Sequence, residues 1–282
     1  MATIALIVTG DMERLALAES LRRVFPEAEF LESQKVDSFT SAQVSWPPPQ
    51  RAGLLSNIEK FATALIAALD PARRKPRPDL VVGIDDLELA NLEKPEAVIG
   101  AFRRAVTAAL ERRAAATGLR TFNKLCKNVR EKCSFHLLVP MCEAYFFADP
   151  GALKAAGCKR PAKLIPSCDP EQFTVVDPKY SEVFSGDQQV PKWAIDLPTR
   201  LRHPKHYLDF LSGSYRETHQ GHAALAVLDW DQVLAMRQHC RFLRSLFRDI
   251  EDALGIADSR FPGDTHPLTS DWQNPSRILR NF

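Results

Sequence analysis

The sequence lacks the features of several specialised protein classes. Its six cysteines are spread over 282 residues with no Cys-x-x-Cys pair, which argues against a disulfide scaffold and against a zinc ribbon. It has no apolar run of about 18 residues, so a membrane span is not expected. The first residues, MATIALIVTGDMER, lack the basic segment of a signal peptide. These absences predict a soluble, cytoplasmic protein without a membrane partner.

A large excess of charge of one sign is also missing. Lys and Arg number 37 and Asp and Glu number 35, which leaves a net charge of +2. This balance argues against a polybasic tail, although a local basic surface remains compatible with it. The apolar fraction of 45% is enough for a sizeable core.

The order of apolar segments predicts an α/β fold. Continuous apolar runs are typical of strands buried on both faces of a parallel sheet, and 3–4-residue spacing is typical of helices. The chain has three such runs, at residues 4–8, 80–84 and 135–139, and helical patterns at residues 12–24, 53–69, 95–117, 151–156 and 230–254. We expect a mostly parallel sheet flanked by helices in residues 1–156. Residues 157–282 are expected to form an irregular insert, over residues 157–198, and a helical carboxyl-terminal region with an extended tail, packed on the core.

Acidic residues follow each predicted strand. Asp85, Asp86 and Glu88 end the second run, Glu13 follows the first, and Glu143 lies in an aromatic stretch after the third. Ligands bind at the carboxyl ends of strands in open α/β sheets, and oxygen ligands suit Mg²⁺ or Mn²⁺. Asp85, Asp86 and Glu88 are therefore candidate metal ligands. Acidic residues after strands also cap the following helix, so a purely structural role remains open.

Several motifs together resemble an uncharacterised Toprim-like family, whose members often lie beside ATPase genes and are suspected to belong to phage-defence systems. The family has a His-Glu-Phe-Glu-Ala-Leu-Leu-Phe-Ala-Asp-Pro type of stretch, and residues 143–150, EAYFFADP, are similar to its second half. Gly10 and Glu13 resemble the first motif, and Asp85 and Asp86 resemble the metal-binding strand end. The order of later segments, from PKHYL at residues 204–208 to the last helix, is also similar.

The resemblance implies a Toprim-like fold and a Mg²⁺-dependent nuclease. It implies that Glu13 and Glu143 are catalytic and that Asp85 and Asp86, with Glu88, bind the metal. Two positions depart from the family: Thr9 stands where a glutamate is expected, and Pro140-Met141 replaces the leading His-Glu. A threonine hydroxyl cannot act as a general acid or base at neutral pH.

A basic segment follows the second acidic strand end. Residues 101–132 contain nine Lys or Arg and two Glu, which is a pattern typical of phosphate binding. Candidate nucleic-acid-binding residues are Arg120, Lys124, Lys127 and Arg130, together with Lys205 in the PKHYL segment. A solvated helix face, and for Lys205 a surface loop, would give the same patterns.

Two functions remain open from the sequence, and whether the protein is an enzyme is uncertain. The first is a metal-dependent nuclease, a hydrolase of DNA or RNA in antiviral defence, with an ATPase partner. The second is a catalytically degenerate Toprim-like subunit that binds or regulates the ATPase in a defence complex. A third, a nucleotide-binding α/β protein, has only Gly10 after the first run in its favour, without a Gly-x-Gly-x-x-Gly or Walker pattern.

Overall fold

The strands of the described chain form one parallel sheet. The structure is a computed structural model that describes residues 1–37, 39–49, 53–70, 76–116, 118–166, 169–182 and 197–282. Its strands are β1 Ala2–Val8, β2 Ala28–Phe30, β3 Gln34–Lys35, β4 Leu80–Asp86 and β5 Cys133–Leu138. The order is β2-β1-β4-β5. Strand β2 pairs with the first residues of β1, and β3 pairs with its last two residues, Ile7 and Val8. The α/β class with a parallel sheet flanked by helices is therefore confirmed.

The central strands are apolar on both faces because helices cover both sides of the sheet. Residues 4, 6 and 8 of β1 point into one core cluster, whereas residues 5 and 7 point into the other. A phenyl ring stack between Phe102 and Phe135, with centroids 3.9 Å apart, lies in the second cluster. Such two-sided burial requires uninterrupted apolar runs, which is why β1, β4 and β5 were recognisable.

The helices differ in several places from the sequence-based expectation. Their bounds are α1 Asp11–Val24, α2 Ala42–Ser45, α3 Asn57–Ala68, α4 Pro95–Ala116, α5 Leu119–Lys132, α6 Pro150–Ala155, α7 Pro178–Glu182, α8 Leu197–Leu201, α9 Pro204–Ser212, α10 His222–Val227, α11 Trp230–Val233 and α12 Arg241–Ala253. The helix predicted over residues 53–69 begins only at Asn57, where the Glu59 carboxylate accepts a hydrogen bond from the Ser56 backbone N–H.

The prediction of a single helix over residues 230–254 is wrong, because the structure has two helices in this segment. The segment is divided into α11 and α12, and Cys240 between them has a left-handed backbone with φ 57°. The carboxylate of Glu171 accepts hydrogen bonds from the backbone N–H groups of Phe242 and Leu243 and so caps the start of α12. This cap comes from a residue distant in sequence, and no local pattern announces it.

The expectation of an extended tail after Pro262 is also wrong, because this segment contains a 3₁₀ helix, Pro267–Thr269, and then returns to β5. Asn281 donates to the Phe135 carbonyl at 2.8 Å and accepts from the Phe135 N–H at 3.1 Å. The tail thereby satisfies backbone groups of the β5 strand.

Described helices of residues 197–282 pack on the core formed by the earlier part of the chain. Helix α10 contacts α1 and α6, and α12 contacts β5. The expected irregular segment at residues 157–198 contains α7 and a 3₁₀ helix, Pro170–Gln172, while residues 183–196 lie outside the described residues. In the described ranges, no helix has the length and apolar character needed to cross a membrane.

Candidate acidic site at the carboxyl end of the sheet

The predicted acidic residues meet at the carboxyl ends of β1, β4 and β5. We call the six carboxyl side chains that gather there the acidic cluster. Glu13 lies in the first turn of α1, Asp85 and Asp86 end β4, and Glu88 follows two residues later. Glu143 lies in the 3₁₀ helix Cys142–Ala148 after β5. The sixth member, Glu217, begins a π-helical turn, Glu217–Gly221.

Glu13 is a buried carboxyl whose side chain folds back over Gly10. It is 5% exposed, and a Cβ atom added to Gly10 would lie 1.8 Å from Glu13 Oε2. The same oxygen has no hydrogen-bond partner among the described residues. Burial, followed by the charge of Glu143, raises the pKa of Glu13 to about 8. In the absence of a cation, these surroundings favour the protonated form of Glu13.

Asp85 and Asp86 point to different surroundings although they are neighbours on β4. The hydroxyls of Thr9 and Ser41 donate to opposite oxygens of the buried Asp85 carboxylate. Burial raises the pKa of Asp85 to about 6 despite these hydrogen bonds. Asp86 is half-buried and accepts from the Cys142 N–H at 2.9 Å. Both oxygens of Asp85 thus accept hydrogen bonds from side chains, whereas among the described residues Asp86 accepts one through Oδ1.

Burial and the charges of Glu13 and Glu143 hold the pKa of Asp86 well above its usual range. This effect requires the three carboxyl groups to lie close together at the ends of the strands. Uncompensated carboxylates repel each other and favour either protonation or a bound cation.

Glu88 has an unusual backbone conformation for a residue with a side chain. Its φ is 66°, in the region that favours glycine. A hydrogen bond from its N–H to the Pro140 carbonyl, at 2.9 Å, helps to hold this conformation. Burial and the charge of Asp85 raise the pKa of Glu88 to about 7. Strained residues cluster at functional sites, so this outlier supports a functional role for Glu88.

The carboxyl-terminal region contributes an ammonium and a phenol that the sequence did not place here. Lys205 Nζ lies 2.8 Å from Glu217 Oε2 and 3.6 Å from Glu143 Oε1. Although burial lowers the pKa of Lys205, the charges of Glu143 and Glu217 outweigh it and the pKa is raised. The Tyr215 hydroxyl donates to Glu143 at 3.2 Å. The sequence predicted Lys205 only as a nucleic-acid-binding residue. No pattern in the neighbouring sequence predicts its ion pair with Glu143.

The other polar residues of the EAYFFADP stretch have structural contacts. The Tyr145 hydroxyl accepts from the Val139 N–H and donates to Glu171. Asp149 accepts from the Gly151 N–H at the start of α6 and from the Asp229 N–H. Within this stretch, Glu143 is therefore the side chain that faces the acidic cluster.

The last turn of α5, which carries Arg130, lies away from the acidic cluster. Arg120, Lys124, Lys127 and Arg130 are exposed on α5. Helix α5 ends at Lys132, immediately before β5 begins, so its last turn lies at the amino end of the strand. The acidic cluster lies at the opposite ends of the strands, roughly 20 Å away for a six-residue strand. Proximity along the sequence therefore does not place the basic side chains of this turn beside Asp85 and Glu88.

The donor set of the acidic cluster suits a hard divalent cation. Its donors are carboxylate oxygens, and one buried oxygen of Glu13 is unpartnered, as an incoming cation would require. In the structure as described, with the Lys205 ammonium paired to Glu143 and Glu217, no group of three or more His, Cys, Asp or Glu side chains is arranged to hold a metal ion.

The fold and the acidic cluster together define an α/β protein with a buried carboxylate site at the carboxyl end of its parallel sheet. Comparisons of the chain with protein-family models, with curated proteins and with solved structures found no match.

Proposed function

We propose that this protein is a Mg²⁺-dependent nuclease with a Toprim-like fold that hydrolyses DNA or RNA phosphodiesters. The observation that carries the proposal is the accumulation of carboxyl groups at one sheet edge, more than the Lys205 ammonium can neutralise. Burying like charges is unfavourable unless a cation compensates them. An enzyme that binds Mg²⁺ gains from this arrangement, whereas a purely structural site would not need it.

The side chains divide the work according to their surroundings. Asp86 and Glu88, which are partly exposed, would bind the metal, and the two hydroxyls hold Asp85 in place behind them. Bound Mg²⁺ would supply charge stabilisation at the phosphoryl oxygens. Glu13 suits a general acid, because burial and the charge of Glu143 raise its pKa to about 8 in the metal-free protein. Glu143 suits the role of the general base, which accepts a proton; it faces Lys205 and Tyr215.

Substrate binding would depend on positively charged side chains. Lys205, 39% exposed at its side chain, is positioned to contact a phosphate near the acidic cluster. The exposed face of α5 would hold more distant phosphates through Arg120, Lys124, Lys127 and Arg130.

The test is cleavage of labelled single- and double-stranded DNA and RNA by the purified chain with Mg²⁺, with Mn²⁺ or with a chelator. We expect metal-dependent cleavage that Asp86→Asn and Glu88→Gln reduce by about 100-fold or more. Asp37→Asn is the control, because Asp37 is an exposed carboxylate that pairs with Lys35 outside the acidic cluster. Cleavage by Asp86→Asn at the wild-type rate would refute the assignment.

A second candidate is a non-catalytic Toprim-like subunit that binds or regulates an ATPase. It is favoured by Thr9, whose hydroxyl donates to Asp85 where the resembling family has a glutamate. The link to an ATPase and to phage defence rests on the resemblance of residues 143–150 and neighbouring motifs. Absence of cleavage with any divalent metal, together with stable co-purification with an ATPase encoded nearby, would favour this candidate over the nuclease.

A further inference from the structure

Lys205 occupies a position in which the acidic cluster needs a positive charge. Its ammonium approaches Glu143, which is 1% exposed, and Glu217 at the same time. The Lys205 side chain is 39% exposed, so the ammonium neutralises a buried carboxylate from the solvent side. A divalent cation that Asp86 and Glu88 bind in the acidic cluster would repel this ammonium and attract the Glu143 carboxylate that the ammonium neutralises.

The elements around Lys205 close over Glu143. Helix α9 packs on the 3₁₀ helix that bears Glu143, and the π-helical turn packs on α1. A Cβ atom on Gly221 would lie 2.5 Å from the Tyr215 hydroxyl and 2.8 Å from Met12 Sδ, which shows how tightly this turn and Tyr215 approach α1. Lys205 therefore sits on well-packed backbone, and its long side chain is the movable part.

The Lys205 ion pairs leave part of the acidic cluster without a partner. Glu13 is buried beside Glu143, and its Oε2 atom has no hydrogen-bond partner within the described residues. The ammonium is paired instead with Glu143 and Glu217. A divalent cation bound by Asp86 and Glu88 would bring positive charge to the part of the acidic cluster that Lys205 does not pair with.

We infer that Lys205 is a built-in counter-ion that closes the metal-free acidic cluster and that a divalent cation displaces when it binds. The inference rests on the proposed function, because it assigns a regulatory device to the same metal site. Since the ammonium and the metal are like charges within one group of carboxylates, the ion pairs of Lys205 lower the metal affinity of the resting protein. The exchange of the Lys205 ammonium for the divalent cation sets the cation concentration at which the acidic cluster binds metal.

The first test is titration of the purified chain with Mn²⁺, followed by electron paramagnetic resonance. Lys205→Met is expected to bind Mn²⁺ about 10-fold more tightly than the wild type, because the competing charge is gone. Lys35→Met is the matched control: Lys35 Nζ lies 2.7 Å from an Asp11 oxygen, a similar ion pair outside the acidic cluster. Its affinity is expected to equal that of the wild type.

The outcomes separate this inference from the proposed function. If the wild type binds Mn²⁺ and Lys205→Met binds it equally or more weakly, the counter-ion role is refuted and the metal site stands. If no variant binds Mn²⁺, both the metal site and the counter-ion role are refuted. Binding by Lys205→Met alone supports the counter-ion role in its strongest form.

The second test uses only the wild type, so it does not depend on the folding of a variant. The rate at which an amine-specific acetylating reagent modifies each lysine is measured by mass spectrometry with and without Mg²⁺. We expect Lys205 to be modified several-fold faster with Mg²⁺, because the ammonium is released from Glu143 and Glu217, while Lys35 is unchanged. An unchanged rate at Lys205 overturns the inference.

Discussion

Replacement of Glu13 by glutamine is expected to stabilise the metal-free protein by an amount that grows with pH. The pKa of Glu13 is raised from 4.5 to about 8 by burial and by the charge of Glu143. Between these values the folded state binds more protons than the unfolded state, so the free energy of unfolding falls as the pH rises. Glutamine cannot ionise, and the Glu13→Gln variant escapes this loss.

The size of the effect follows from the interval between the two pKa values. Each pKa unit corresponds to about 1.4 kcal/mol, so the rise from 4.5 to about 8 corresponds to roughly 5 kcal/mol at pH 9. Neighbouring carboxyl groups such as Asp86 can take up part of the proton, which reduces the share that Glu13 alone contributes. We therefore expect a gain of about 2 to 5 kcal/mol at pH 9 and of less than about 1 kcal/mol at pH 5.

The assay is urea unfolding at several pH values from 5 to 9 in the presence of a chelator, followed by circular dichroism. Glu19→Gln is the control, because Glu19 is an exposed residue on the same helix α1. The free-energy difference between Glu19→Gln and the wild type should not change with pH. If Glu13→Gln is no more stable than the wild type at pH 9, the buried, unpartnered carboxyl is not the source of strain that its surroundings indicate.

Three further predictions concern other contacts. Tyr145→Phe should lose about 1 to 3 kcal/mol of stability in urea unfolding, since its hydroxyl joins the Val139 N–H to the Glu171 carboxylate, yet leave Mn²⁺ affinity unchanged; altered affinity would contradict its structural role. Asn281→Ala should lower the thermal midpoint, because it removes both hydrogen bonds to β5, whereas Gln273→Ala, at an exposed position, should not; equal midpoints would refute this. Replacement of Arg120, Lys124, Lys127 and Arg130 on α5 by glutamine should reduce the salt dependence of nucleic-acid binding in fluorescence anisotropy, by up to about 0.9 per lost phosphate contact in the log–log slope; an unchanged slope would exclude these residues from the interface.

The parts of the fold that the sequence predicted are those whose burial is uniform along the chain. Strands β1, β4 and β5 are buried on both faces, so their apolar runs were sufficient. Strands β2 and β3 are only three and two residues long and carry no pattern of their own. Helix α5 has one buried residue, Val129, and its remaining sequence reads as a solvated charged segment.

The acidic cluster was predictable as far as parallel topology determines it. Glu13, Asp86 and Glu143 follow strands of the same direction, so their meeting at one edge required only the order of elements. Lys205 and Tyr215 reach the cluster through long-range packing of the carboxyl-terminal region. Neither residue lies near an acidic partner from the strand ends in the sequence, and their contacts with Glu143 became apparent only in three dimensions.

The close approach of Glu13 to Gly10 has a consequence for how such sequences vary. A side chain at position 10 would occupy the place of the Glu13 carboxyl, so a larger residue there would push the Glu13 carboxyl out of its present orientation. In related chains the two positions should therefore change together, and a chain that gains alanine at position 10 should have lost the inward glutamate. The pair Gly-x-x-Glu after the first strand is thus a diagnostic for an intact cluster, more informative than either residue alone.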